Sequence, residues 1–143
     1  MDRDRARDRR EGRKPLWREI GSRYNLYGSK CGNCGTLDFP PRTVCPECGR
    51  RSVGKMERVK LKGNGTVVSY TVIHDAPAAY EMMRPYVVAI VEMEEGCRVT
   101  SQIVDVDPAT VKIGMQVNAA FRKLGSEGEA GVIHYGYKFR PAA

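Results

Sequence analysis

Hydrophobic residues along the chain change from a helical spacing to a strand spacing. Near the N-terminus an apolar stripe recurs every three or four residues, which predicts a short helix over 15–28 that opens with Pro15. From Val59 onward, apolar and polar residues alternate, as they do in strands with one buried face. The pattern therefore predicts a helix, a middle segment rich in Gly and Cys, and a β-rich C-terminal part.

Five strands are predicted in the β-rich part. Four of them alternate, and one is almost continuously apolar, which predicts a strand that is covered on both faces. In the first strand, Val68, Tyr70 and Val72 share one face, and in the third, Val99 and Ile103 do. The predicted strands are Thr66–Ile73, Tyr86–Met93, Cys97–Val104, Met115–Phe121 and Ile133–Phe139.

The connections between these strands indicate a barrel. Glu94-Glu95-Gly96 predicts a hairpin turn, and Asp107-Pro108-Ala109-Thr110 predicts a short helical turn capped by Asp107. An OB-fold barrel has this order of elements: three strands, a short helix and two further strands. Gly63 and Gly65 fall where the long first strand of such a barrel must bend. The fold class is therefore mainly β, with a helix in front.

Four cysteines in the middle segment form two C-x-x-C motifs. Cys31-Gly-Asn-Cys34 and Cys45-Pro-Glu-Cys48 are separated by ten residues. Four thiolates at this spacing close a tetrahedron around zinc and leave no open position for catalysis. Gly35 and Gly49 follow the motifs, where a metal knuckle often needs positive φ. The sequence predicts one structural zinc site, although iron in a rubredoxin-like site has the same spacing. Cys97 has no partner motif and is predicted to be a buried strand residue.

The charge pattern adds a tail and a basic cluster. Residues 1–14 hold seven basic and four acidic side chains, so they supply +3 of the formal net charge of +7, and they predict a disordered tail. The remaining +4 is a weak signal that suits a phosphate-bearing ligand as well as a nucleic acid. Basic residues cluster around the cysteine motifs, either as a solvated face or as phosphate contacts. The ligand-binding candidates are Arg42, Arg51, Lys55 and Arg58.

The sequence does not indicate an enzyme. It contains no nucleophile elbow, phosphate-binding glycine loop or dinucleotide motif. His74 and Asp75 are adjacent in a predicted strand, so they point to opposite faces and cannot pair easily. No apolar run of about 18 residues and no secretory signal is present, so we expect a cytoplasmic protein without a membrane partner.

The ordered set of motifs resembles one known family, the acyl-CoA-associated zinc-ribbon/OB-fold proteins, formerly a domain of unknown function. The resemblance spans about residues 15–141 and rests on the two cysteine motifs, Trp17, Phe39-Pro40-Pro41-Arg42, Gly65-Thr-Val-Val-Ser-Tyr-Thr-Val72, Pro85–Glu92, Asp105-Val-Asp-Pro108, Ile113-Gly114-Met115 and Phe139-Arg140-Pro141. It implies a helical segment, a rubredoxin-like zinc ribbon and an OB-fold domain. The corresponding division is a tail at 1–14, a helix at 15–28, a ribbon at 29–58 and a barrel domain at 59–141.

The resemblance also implies a function. Archaeal members bridge acetoacetyl-CoA thiolase and hydroxymethylglutaryl-CoA synthase in the mevalonate pathway, and help to pass acetoacetyl-CoA between them. The expected ligand is then CoA or an acyl-CoA, and the expected role is that of a non-catalytic scaffold. Two other hypotheses stay open: a nucleic-acid-binding protein with a ribbon and an OB fold, and an accessory subunit of an acyl-CoA hydratase or aldolase.

The apolar stripe of the predicted helix has two interpretations. It packs on its own domain, or it docks on a partner enzyme, as aromatic anchors on a helix commonly do. The partner-docking candidates are Leu16, Trp17, Ile20, Tyr24 and Tyr27.

Overall fold

The computed structural model describes residues 16–126 and 130–142 of the 143-residue chain. The predicted tail at 1–14 lies outside the described residues. The predicted mainly β fold is confirmed, with a helix first, then a small sheet that carries the cysteines, then a closed barrel of five strands. The elements are α1 (Leu16–Asn25), β1 (Tyr27–Cys31), β2 (Leu37–Asp38), β3 (Met56–Lys60), β4 (Asn64–Ile73), β5 (Tyr86–Met93), β6 (Arg98–Ile103), β7 (Gln116–Ser126) and β8 (Ile133–Pro141).

Helix α1 is shorter than the apolar stripe predicted. It ends at Asn25, and Leu26 takes a positive φ of 51° while its N–H donates to the carbonyl of Ser22 at 3.1 Å. Tyr27 then lies in β1, where it is the register partner of Lys60 in β3. The helical spacing of Tyr27 was therefore misleading, because the left-handed residue before it turns the chain into the sheet. No helix in the described part of the chain has the length and hydrophobicity needed to cross a membrane.

The small sheet has the order β2-β1-β3, with β1 antiparallel to both neighbours. Its strands pass very close at Gly28, where a Cβ atom would lie 2.8 Å from the carbonyl oxygen of Asp38. A side chain at this position would push β2 away from β1. Glycine is required here by space rather than by backbone angle.

The barrel has the strand order β4-β5-β6-β8-β7 and closes between β4 and β7. All neighbours are antiparallel except β6 and β8, which meet in parallel at Ile103 and Phe139. This is the predicted OB-fold order. The predicted cap is also present, since Asp107 Oδ1 accepts a hydrogen bond from Ala109 N at 2.9 Å. The barrel interior centres on Phe139, which is 0% exposed.

The first barrel strand differs from its prediction in two ways. Gly63, with φ of 90°, lies between β3 and β4, so the chain leaves one sheet and enters another instead of bending within one strand. A β-bulge between Val67 and Ser69 then shifts the alternation, so Val67 rather than Val68 lies on the same face as Tyr70 and Val72. Val67 is buried in the core, and Tyr70 and Val72 lie opposite buried residues of β5. The predicted shared face is therefore correct for Tyr70 and Val72 and wrong for Val68.

Candidate functional site

The four predicted metal ligands come together at one end of the small sheet. The Sγ atoms of Cys31, Cys34, Cys45 and Cys48 all lie within 4.8 Å of one another. Tetrahedral zinc–thiolate bonds of about 2.3 Å place sulfurs about 3.8 Å apart, so the cluster fits one zinc ion. Four thiolates complete the coordination, and zinc held there would fix the shape of the ribbon. The prediction of a four-cysteine metal site is confirmed.

Each cysteine pair is shaped by a knuckle turn. The N–H of Gly35 donates to the carbonyl of Cys31 at 2.8 Å, and the N–H of Gly49 donates to the carbonyl of Cys45 at 2.9 Å. Both glycines have positive φ, 78° and 54° respectively, as predicted. These turns aim both sulfurs of a pair at the same point in space.

The surroundings of the cluster shift the pKa values of Cys34 and Cys45 in opposite directions. The hydroxyl of Thr36, 3.2 Å from Cys34 Sγ, together with the Thr36 backbone, stabilises the thiolate and lowers the pKa of Cys34 to about 6. At Cys45 the backbone of Cys48 favours the thiolate, but burial and the neighbouring sulfurs outweigh it and raise the pKa to about 11. The raised pKa of Cys45 opposes ionisation of its thiol, and a metal cation bound at the cluster would favour the thiolate form.

Three side chains that support the metal site were not predicted. Ser52 is fully buried, its Oγ accepts from Cys45 N at 2.9 Å and donates to the carbonyl of Gly49 at 2.6 Å. Asn33 Nδ2 donates to Cys48 Sγ at 3.2 Å, and Thr36 acts on Cys34 as described. The only signal in the sequence was proximity to the cysteine motifs, since small polar residues are also common in solvated loops.

The four basic ligand candidates lie on the outside of the ribbon. Arg42 is more than half exposed, its N–H donates to Ser29 Oγ at 2.8 Å, and its Nε lies 3.8 Å from Asp38 Oδ1. Arg58 lies over the ring of Tyr27, with 5.7 Å from Cζ to the ring centre. Arg51 and Lys55 are exposed around the second knuckle. None of the four lines either cavity described here, although Arg42 is next to Thr43, which does line one.

The cavity that Thr43 lines, which we call the junction groove, lies where the helix, the ribbon and the barrel meet. Its volume is about 800 Å³. Phe39 of the ribbon and Tyr137 of β8 form an edge-to-face pair in its wall, with ring centres 5.3 Å apart. Burial raises the pKa of the Tyr137 phenol, so this side chain remains a hydroxyl donor. The full lining is Glu19, Ser22, Arg23, Phe39, Pro40, Pro41, Thr43, Thr100, Ser101, Leu124, Gly136 and Tyr137.

Comparison with known proteins assigns this architecture. The family model "ChsH2, rubredoxin-like zinc ribbon domain" matches residues 18–54, and "ChsH2, C-terminal OB-fold domain" matches residues 58–122. Two archaeal proteins, both named "DUF35 domain-containing scaffold protein", are similar over 125 residues, or 87% of this chain. The one from Methanocaldococcus jannaschii is 53% identical with 87% of its length covered, and the one from Methanothermobacter thermautotrophicus is 55% identical with 92% covered.

The chain belongs to the DUF35 family. A solved structure described as "Ltp2-ChsH2(DUF35) aldolase" also has the same fold, with a TM-score of 0.68 and 34% identity over 100% of this chain and 98% of that one. The DUF35 relatives from archaea are named as scaffolds rather than as enzymes.

Within this DUF35 fold, the helix residues that were candidates for partner docking have different surroundings. Tyr24 packs edge-on against Phe121 of β7, with ring centres 5.2 Å apart. Tyr27 lies in the ribbon sheet beneath Arg58, and Ile20 is exposed. The side chains of Leu16 and Trp17 lie outside the described residues. Tyr24 therefore contributes to packing inside the protein, while docking through Ile20 and the first helical turn remains a prediction.

Proposed function

We propose that this protein is a non-catalytic scaffold that binds CoA or acyl-CoA. In this proposal it bridges acetoacetyl-CoA thiolase and hydroxymethylglutaryl-CoA synthase in the mevalonate pathway. The observation that carries the proposal is the similarity to archaeal scaffold proteins, which extends through both the ribbon and the barrel. A cluster of four cysteines leaves no open coordination position for a substrate, which supports a structural role for the metal.

The junction groove is the best place for the ligand. Ligand pockets usually have volumes of about 300–1,000 Å³, and the groove falls in this range at about 800 Å³. Phe39 and Tyr137 offer apolar area for an extended acyl-pantetheine arm, and the hydroxyls of Ser22, Thr43 and Ser101 offer hydrogen bonds to its amides. In this proposal Arg42, which adjoins Thr43, meets the ligand's phosphates outside the groove.

A scaffold of this kind helps a pathway without doing chemistry. The product of the first enzyme stays close to the second, so its effective concentration at the second site is high. A rigid ribbon and a closed barrel hold the two docking surfaces at fixed positions. The groove then serves as one wall of the path between the two active sites.

A variant that fills the groove tests this role. Ser101 lies on β6 and lines the groove, so Ser101→Trp is expected to obstruct the arm and weaken CoA binding by roughly tenfold or more. In a mixture of the three proteins, free acetoacetyl-CoA should accumulate to a higher level than with the unmodified scaffold. Chromatographic measurement of that intermediate during turnover provides the readout.

The matched control is Thr71→Trp, since Thr71 is an exposed residue of β4 that lines neither cavity. This control should leave both CoA binding and the level of free intermediate unchanged. Unaltered CoA binding and transfer in the folded Ser101→Trp protein would contradict the assignment of the groove, whether or not the scaffold role is correct.

A second candidate function is that of an accessory subunit of an aldolase. The similarity to the solved aldolase complex, at 34% identity over the whole chain, favours it. The two candidates share the ribbon and barrel and differ only in the partner enzyme. Association with an aldolase and not with thiolase or synthase would select this alternative.

The nucleic-acid hypothesis is less well supported. A nucleic-acid-binding OB fold usually stacks bases on exposed aromatic rings, but the aromatic residues of β8 have ring contacts within the protein, because Tyr137 contacts both Phe39 and Phe139. Phe121 is half exposed, but its ring stacks on Tyr135 at 5.3 Å and receives the edge of Tyr24. A base stacks on a free ring face, and Tyr135 covers one face of Phe121. Tight single-stranded RNA binding with a steep salt dependence would revive the hypothesis.

A further inference from the structure

A buried lysine on β8 has no carboxylate partner among residues 16–126 and 130–142. Lys138 is 5% exposed, and its register partner across the hairpin is Ala120, which is also buried. Its Nζ lies 4.0 Å from Met83 Sδ, and no ion pair joins it to any carboxylate in the described part of the chain. A thioether sulfur is a weak acceptor. A buried ammonium group without a nearby anion is energetically unfavourable, so a bound anion next to this side chain would stabilise it.

Lys138 lines a second cavity, which we call the lysine pocket. Its volume is about 200 Å³, and it shares no lining residue with the junction groove. Apolar side chains make most of its wall, and Gln102 and Tyr86 add polar groups. The full lining is Met83, Pro85, Tyr86, Val87, Gln102, Ile103, Val104, Asp105, Val106, Pro108 and Lys138.

Two charged residues line the pocket, Asp105 and Lys138, and within the part of the chain that the structure describes only Asp105 has an ion-pair partner. Asp105 contributes to the wall, but its Oδ2 lies 2.5 Å from Arg122 Nη2, so its negative charge is already paired. Burial, and then the charge of Arg122, lower the pKa of the Lys138 amine. An anion next to Nζ would counter both effects and raise the pKa of Lys138, since an adjacent opposite charge favours the ammonium form.

We propose that the lysine pocket binds a short-chain monocarboxylate, with its carboxylate on Lys138 and its alkyl chain along Pro85, Val106 and Pro108. The size of the pocket fits such a ligand. At about 30 Å³ for each water-sized group, a cavity of about 200 Å³ holds roughly six or seven non-hydrogen atoms, as in butyrate. A second carboxylate would meet Asp105, and a strongly hydrated phosphate would lose water against apolar walls. This site does not depend on the scaffold role.

The test uses the full zinc-loaded chain with lysine side chains labelled with ¹³C at Cε. Sodium butyrate and uncharged butyramide are titrated separately at constant ionic strength while the lysine resonances are followed by NMR. Butyrate should shift the Lys138 resonance in a saturable way, and butyramide should not. With butyrate bound, the Lys138 pKa should rise towards the ordinary lysine value.

Two variants define the contact. Lys138→Met removes the charge and keeps a similar apolar stem, and it should weaken butyrate binding roughly tenfold to a hundredfold. Lys123→Met, at an exposed position on β7, should bind butyrate like the unmodified protein. The proposal is wrong if butyrate leaves the Lys138 resonance unmoved at tens of millimolar, or if it moves all lysines alike. This outcome is read from the unmodified protein, so it does not depend on the folding of either variant.

Discussion

The Cys45→Ser protein is expected to lose its metal and the order of the ribbon, while its barrel stays folded. Cys45 is fully buried, its carbonyl accepts a hydrogen bond from Gly49, and its N–H donates to Ser52. A serine hydroxyl is a poor replacement for a thiolate. Structural zinc sites of this type contribute about 10–16 kcal/mol of binding free energy in small peptides, so this is the largest effect that we predict.

Elemental analysis should find less than one zinc per chain in this variant, and amide NMR signals from β1, β2 and β3 should lose their dispersion. The barrel signals should persist, because the barrel closes through its own strands and core. Cys97→Ala is the matched control, since Cys97 is buried in the barrel core and lies outside the metal cluster. A Cys45→Ser protein that keeps one equivalent of zinc, or that loses the barrel together with the ribbon, would contradict this account.

Phe139→Ala is expected to cause the largest loss of barrel stability among single substitutions. Phe139 is fully buried, and it is the register partner of Ile103 where β6 meets β8. Removing a buried phenylalanine side chain typically costs about 3–5 kcal/mol, because apolar contacts are lost and a cavity remains. Chemical denaturation followed by far-UV circular dichroism gives the change in the free energy of unfolding.

Phe121→Ala is the control for this prediction. Phe121 lies on the neighbouring strand but is 51% exposed, and its ring contacts are to Tyr24 and Tyr135. Its loss should cost on the order of 1 kcal/mol, as expected for an aromatic pair at the surface. Equal losses for the two variants would mean that Phe139 is not the centre of the barrel core.

The metal site and the barrel order were the parts of the structure that the sequence predicted well. Both depend on local patterns: two residues between cysteines, a glycine after each pair, and alternation within strands. Asp107 was predictable for the same reason, because its cap acts on Ala109, only two residues further along. Interactions within a few residues leave their signature directly in the sequence.

Features that depend on distant segments were not predictable. The bulge between Val67 and Ser69 is defined by pairing with β5, so alternation alone placed Val68 instead of Val67 on the face that Tyr70 and Val72 share. The junction groove joins segments as far apart as Ser22 and Tyr137. Lys138 alternates with aromatic residues and would be expected to face solvent, yet packing near Met83 buries it. Such sites require the assembled fold.

The central claim, that this protein bridges two acyl-CoA enzymes, is tested most directly by mass measurement of the assembled complex. The thiolase and the synthase from the same organism are mixed at micromolar concentration, with and without this protein, and analysed by size-exclusion chromatography with light scattering. We predict one species that contains all three proteins, and separate enzymes when the scaffold is omitted. If the scaffold elutes alone from both enzymes, or if the enzymes associate equally well without it, the bridging function is contradicted.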